Sequence, residues 1–165
     1  MRKYLPQKGF TLIEILVALT IVAILAVAVY VALNPAQRLK DAKDARRATD
    51  VDTILTAIHQ SIVDSKGTLP TNMPASGTEK QLGTGAVGDC PAAVGSKCSG
   101  LVTGCADLLT GGQNVAKYLK DMPSDPDTTD SPPLSTGYSV TVDANNIVTI
   151  KACYTDGTTA ISASR

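Results

Sequence analysis

Glu14 is a lone carboxylate near the start of a long uncharged run, which makes it the side chain most in need of a chemical explanation. From Ile15 to Leu33 the only ionisable group is the Tyr30 phenol, and the next charge is Arg38. A carboxylate inside a membrane helix is unfavourable by about 2.5–3.5 kcal/mol on insertion scales, so it requires a partner or a purpose. The stretch Lys8-Gly9-Phe10-Thr11-Leu12-Ile13-Glu14 offers one. Arg2, Lys3 and Lys8 form a basic leader, and a cut after Gly9 frees an amine on Phe10, one helical turn from Glu14. That amine can belong to the same chain or to a neighbour; the alternative is that Glu14 snorkels at the headgroup level.

Length separates a membrane span from an export signal. From Phe10 to Leu33 is about 36 Å of helix at ~1.5 Å per residue, against about 30 Å of hydrocarbon, so the run can span. An ordinary secretory signal has an apolar region of about 7–15 residues with its cleavage site beyond it. Here the basic leader ends before the apolar run begins, which puts any processing at Gly9, upstream of the helix.

These residues resemble the N-terminus of type IV prepilins and of the pseudopilins of type II secretion. The resemblance implies that prepilin peptidase cleaves between Gly9 and Phe10 and methylates the new amine, and that Glu14, fifth in the mature chain, serves assembly. It favours the Phe10 amine of a neighbouring subunit as the partner of Glu14. It further implies a homopolymer built on an inner-membrane assembly platform. The chain is then single-pass in the bacterial inner membrane before assembly, and afterwards part of an extracellular pilus or a periplasmic pseudopilus.

The elements that must position this segment follow in order. Asn34-Pro35 marks a joint, because proline inside a helix kinks it whereas Asn before Pro at a first helical position caps a new one. From Pro35 to about Asp64, apolar residues at Ala36, Leu39, Ala42, Ala45, Ala48, Val51, Leu55, Ile58 and Ile62, with Ile54 beside them, write one helical stripe. Opposite it runs a charged face, with Lys40 and Asp44, and Arg46 and Asp50, one turn apart. As a lone helix this face is solvated; in a polymer, mixed charges just outside the membrane can set register. Lys66-Gly67 resembles a helix C-terminus, and Gly67-Thr68-Leu69-Pro70 resembles the Gly-x-Tyr-Pro turn of major pseudopilins. Residues 75–112 read as a variable loop region with one short helix around Cys105 to Leu109. Val115 to Pro123 reads as a short helical turn, and with Asp125-Pro126 it resembles a Tyr-Leu-x-x-x-Pro-x-Asp-Pro segment of pseudopilins. Gly137–Val142 and Ile147–Cys153 alternate with a period of two around turn residues 143–146, which predicts an antiparallel hairpin.

The expected fold is α+β and pilin-like: a long N-terminal helix, membrane-spanning in its first half and amphipathic in its second, packed on a small antiparallel sheet. The expected organisation is a leader at 1–9, a membrane or filament-core helix at 10–33, an amphipathic helix at 34–64 and a small head at 65–165. With 15 basic and 15 acidic residues the chain is neutral, and positives in the head are scattered, so nucleic acid is not an expected partner. A DNA- or surface-binding minor pilin is the reading of a different class.

Cys90, Cys98, Cys105 and Cys153 all lie in the exported half, where an even number reads as two disulfides. Cys90 with Cys98 and Cys105 with Cys153 is the favoured pairing, because the second bridge would tie the loop to the last strand. Zinc is disfavoured by the wide cysteine spacing, and the single histidine, His59, sits on the helix. Asp125, Asp127 and Asp130 are the candidates for calcium, which the resembling secretion pseudopilins bind in a nearby loop; a full site needs six to eight oxygens. No cofactor is expected. No nucleophile–base order, phosphate-cradling glycine loop or metal-ligand cluster appears, which argues against an enzyme.

Overall fold

The computed structural model describes residues 9–85, 90, 98, 104–127 and 134–165, and the chain divides into two compact units, Met1–Leu39 and Lys40–Arg165. In the first unit, helix α1 runs over Leu12–Leu33. Thr11 caps it with an extended backbone and a hydroxyl that accepts from the Glu14 amide at 3.3 Å, satisfying one of the donors a helix start leaves unpaired. Its interior contains neither Gly nor Pro, and none of its residues is buried.

Asn34 ends α1 in the left-handed conformation, at φ 41° and ψ 69°. A residue before proline is disfavoured in the right-handed helical region, and Asn tolerates the left-handed one better than most. Helix α2, Pro35–Asp64, begins at once. Proline occupies the first helical position, where its missing N–H has no partner to lose, and the Asn34 carbonyl accepts from the Gln37 and Arg38 amides at 3.0 and 3.2 Å. The joint is therefore a restart.

From Lys40 onward α2 belongs to the second unit. Its buried residues are Arg47, Val51, Ile54, Leu55, Ala57, Ile58 and Ser61, a stripe of helical period. Ala42, Ala45 and Ala48 are exposed, so the buried face starts with an arginine and not with the alanine row that the periodicity predicts. This stripe packs against the inner face of a four-stranded antiparallel sheet in the order β1-β2-β3-β4: Glu79–Gln81, Tyr138–Val142, Val148–Ala152 and Ser162–Ser164. Tyr138, Val140, Val142, Val148, Ile150 and Ala152 supply the inner face, and Leu82, Ala106, Leu108 and Val115 complete the core. The long helix on a small antiparallel sheet is the α+β pilin-like arrangement expected.

The β2–β3 hairpin lies where alternation places it. Asp143 closes its turn by accepting from the amides of Asn145 and Ile147, each at 2.7 Å, and Asn146 takes a positive φ of 62°. The edge strands are different. Glu-Lys-Gln and Ser-Ala-Ser carry no apolar alternation, and they become strands only because β2 and β3 offer them backbone partners. The helix expected around Cys105 to Leu109 is absent: Ala106 instead forms a parallel bridge with Leu82, its amide donating to the Gln81 carbonyl at 2.7 Å.

At the end of α2, the Gly67 amide donates to Ile62 O at 2.8 Å and the Lys66 amide to Val63 O at 3.2 Å, the bond pair of a Schellman cap. Lys66, not Gly67, holds the first left-handed position, with φ 58°. A side chain there is strained by about 1–2 kcal/mol. Lys66→Gly is therefore expected to stabilise the protein by about 1 kcal/mol after the added flexibility of the unfolded chain is deducted. The urea midpoint of the full chain in detergent should rise with an unchanged slope; a lower midpoint would contradict the strain assigned to Lys66.

Candidate functional site: the N-terminal helix and the Arg47 cluster

Gly9 and Phe10 lie exposed immediately ahead of the Thr11 cap, and Glu14 stands in the first turn of α1, where the helix dipole favours a negative charge. Among the described residues its carboxylate has no ion pair. Leu, Ile, Val and Ala cover every side of α1, which is long and apolar enough to cross a bilayer. A helix that is apolar all round and buries nothing within its own chain belongs in hydrocarbon or among other helices.

In the second unit the charged residues converge on Arg47, which is only 1% exposed. Its five N–H donors are all used. Nε and Nη2 grip Asp125 at 2.7 and 3.0 Å, Nη2 also reaches Asp127 at 2.6 Å, and Nη1 reaches Asp44 and Asp156, each at 2.8 Å. Lys43 bonds Asp127 as a second cation. Asp44 in turn accepts the amides of Asp156 at 3.0 Å and Gly157 at 2.9 Å. One guanidinium thus joins α2, the Asp125–Asp127 loop and the segment after β3.

The titration of these groups follows from the geometry. The Asp125 carboxylate, against the opposing effect of burial, raises the Arg47 pKa. Lys43 is the main cause holding the Asp127 carboxyl below its ordinary value, with Arg47 adding to it. Burial is the largest single influence on Asp44 and pushes it up, but the Asp156 amide, Arg47 and the Gly157 amide together hold it below the ordinary value.

Two of the three calcium candidates are thereby accounted for: Asp125 and Asp127 spend their oxygens on Arg47 and Lys43. Asp130 lies outside the described residues, as do Arg2, Lys3 and Lys8 of the expected leader. Among the described residues no group of His, Cys, Asp and Glu is arranged to hold a metal ion. The Arg46–Asp50 pair expected from spacing is present at 3.7 Å. Asp44, expected opposite Lys40, turns to Arg47 instead, because the buried guanidinium and two backbone amides outweigh a solvated lysine. Arg47 itself was not foreseen as buried. Its signal was its place four residues before Val51, in line with the apolar stripe.

The cysteines pair as Cys90–Cys105 and Cys98–Cys153, with Cα separations of 5.6 and 4.9 Å, and not as Cys90–Cys98 and Cys105–Cys153. The correction follows from the backbone. Cys105 precedes the Leu82–Ala106 bridge and its amide donates to Gly85 O at 3.1 Å, which commits it to the chain just after β1 and to Cys90. Cys153 continues β3 on the sheet face of Ser139, and Cys98 Sγ lies 3.1 Å from the Ser139 hydroxyl. Gly83 is needed beside the first bridge, since a Cβ there would stand 2.2 Å from Leu134 O.

Arg47→Met should lose about 3–5 kcal/mol at pH 7, because carboxylates gathered round one cation are left without it. Asp44 and Asp127 titrate below their unfolded values, so in the wild type their contribution is full above about pH 4 and is lost as pH falls through the lower folded values. In Arg47→Met the dependence reverses: acidification from pH 7 toward about 4 neutralises the repelling carboxylates and recovers stability. Thermal melts from pH 7 down to about 2 check both statements, and an Arg47→Met chain that melts like the wild type at pH 7 would deny the cluster its role.

Peptide mapping without reductant should recover Cys90–Cys105 and Cys98–Cys153. The loops close over sequence separations of 15 and 55, which on the chain-entropy model correspond to about 3 and 4 kcal/mol. Removing Cys98–Cys153 should therefore lower the melting temperature more than removing Cys90–Cys105; peptides joining Cys105 to Cys153 would refute the pairing.

A family model described as the prokaryotic N-terminal methylation motif matches residues 5–30. No curated protein and no solved structure matches the chain. The matched residues include the Gly9-Phe10 junction and Glu14 and run into α1, whose exposure and composition set it apart from the other described elements. Through that segment the chain carries the hallmark of type IV pilin and pseudopilin precursors.

Proposed function

We propose that this protein is the structural subunit of a type IV pilus or pilus-like filament. Prepilin peptidase cuts between Gly9 and Phe10 and methylates the Phe10 amine; α1 holds the subunit in the inner membrane until an assembly platform moves it into the polymer. The observation that carries this reading is α1 itself, a helix of 22 residues with no buried residue and with one carboxylate, which lies for most of its length within a matched methylation motif. In the polymer, α1 exchanges lipid for other copies of α1, and Glu14 meets the Phe10 amine of a neighbour. A charge-assisted bond in that low-dielectric core is strong, and the same carboxylate unpaired is expensive, so the pair favours one register over others.

The second reading is a major pseudopilin of a type II secretion system, favoured by the Tyr118-Leu119, Pro123 and Asp125-Pro126 segment. Native filaments on the cell surface support the pilus, and filaments confined to the periplasm the pseudopilus.

Mass spectrometry of the mature protein should find Phe10 as a methylated N-terminus; an intact leader, or a cut beyond Glu14, would remove the basis of this function. Glu14→Ala should enter the membrane at least as well as the wild type, since an unfavourable group has been deleted. It should nevertheless lose filaments, because the neighbour's amine is left unpaired at about 3–5 kcal/mol, with Glu14→Gln intermediate. Filaments are counted by electron microscopy at matched membrane levels and leader cleavage.

A further inference from the structure

A cleft of about 250 Å³ opens in the second unit beside Gly83, with Ala106, Leu108, Leu109 and Met122 as its apolar lining. Among the described residues, the charged groups that line it are both acidic, Asp107 and Asp121. Asp107 is positioned by neutral donors, the Leu109 amide at 3.0 Å and the Thr110 hydroxyl at 2.9 Å, and has no ion pair among the described residues. Asp121 is exposed and has no ion pair among the described residues. The cleft is thus matched to an apolar side chain flanked by cations.

Among the described residues outside α1, the large apolar side chains that stand exposed are Phe10, Leu39, Val63, Leu134 and Ile147. Of these only Leu39 has a cation on either side, Arg38 and Lys40. Arg46, two helical turns further on, shares its face of α2, and its side chain is 61% exposed with only a long, solvated contact to Asp50.

We propose that the cleft seats Leu39 of a second copy of this chain, with Arg38 and Arg46 of that copy meeting Asp121 and Asp107. Both halves of the contact are present in one sequence, and they are different surfaces. Such a head-to-tail contact leaves each copy with a free cleft or a free helix, so it extends into an open array where a two-fold contact would close on itself. The docking rests on the filament reading and supplies the head-to-helix contact that polymer would use. Charge complementarity there acts chiefly on register and on the rejection of wrong partners.

The test places a benzophenone amino acid at Leu39 of the full-length chain and irradiates native filaments. The expected product is a covalent dimer whose adduct maps to the peptides containing Leu108, Leu109 or Met122. In a second arm, Asp121→Arg should lower filament yield roughly tenfold or more, since like charges now face each other, and Arg38→Asp in the same chain should restore it. Normal filaments whose adducts all map outside the cleft would overturn the docking alone. So would an Asp121→Arg chain that assembles at wild-type yield, or a defect that Arg38→Asp does not reverse. A processed wild-type chain that forms no filaments would overturn the polymer reading and this contact with it.

Discussion

A guanidinium buried to 1% exposure is the constraint around which the head unit is arranged. Removing such a charge from water is tolerable only if every donor is matched, and Arg47 meets that condition with Asp44, Asp125, Asp127 and Asp156. These carboxylates come from α2 itself and from two segments far along the chain. None of the three segments can move without exposing a charge to an incomplete shell. The loop carrying Asp125 is further fixed because its amide donates to Thr136 O at 2.8 Å, just before β2.

This polar hub matters because the apolar core is modest. Val, Ile, Leu and Ala dominate it, and Tyr138 is its one fully buried aromatic ring among the described residues. Even Tyr138 is tied into the charged system, its hydroxyl donating to Asp50 at 2.8 Å. The two disulfides add constraint in the region with the fewest bulky apolar residues, one beside the Leu82–Ala106 bridge and one at the end of β3. Core, ion cluster and bridges thus act on different parts of the unit: the helix face, the loops after it, and the connection between β1 and β2.

The first unit obeys the opposite rule. Nothing in α1 is buried, and its one charged side chain has no ion pair among the described residues. Such a helix is stable as a backbone, since its hydrogen bonds are internal, but its side chains are suited to lipid or to copies of themselves. Asn34 and Pro35 let one sequence carry both kinds of helix, ending the first with a left-handed residue and starting the second at a position where proline belongs.

What could be read from the sequence was whatever depends on local pattern. The apolar run and the position of Glu14 needed only charge and length; the β2–β3 hairpin needed only alternation around Asp143 to Asn146; the stop after Asp64 needed only Lys66-Gly67. Even there the structure reassigned a detail, putting Lys66 and not Gly67 in the first left-handed position. What local pattern cannot contain is partnership across the chain. Glu79–Gln81 and Ser162–Ser164 have no strand signal of their own, and become strands because neighbouring strands offer hydrogen bonds. Arg47 looks like one more solvated charge until Asp125, Asp127 and Asp156, which lie 78, 80 and 109 positions away, close over it. The same holds for the cysteines. Their even number announced two bridges, but which thiol faces which was decided by the Leu82–Ala106 bridge and the end of β3, because a disulfide forms only where the backbone has already brought two Cα atoms within bonding reach.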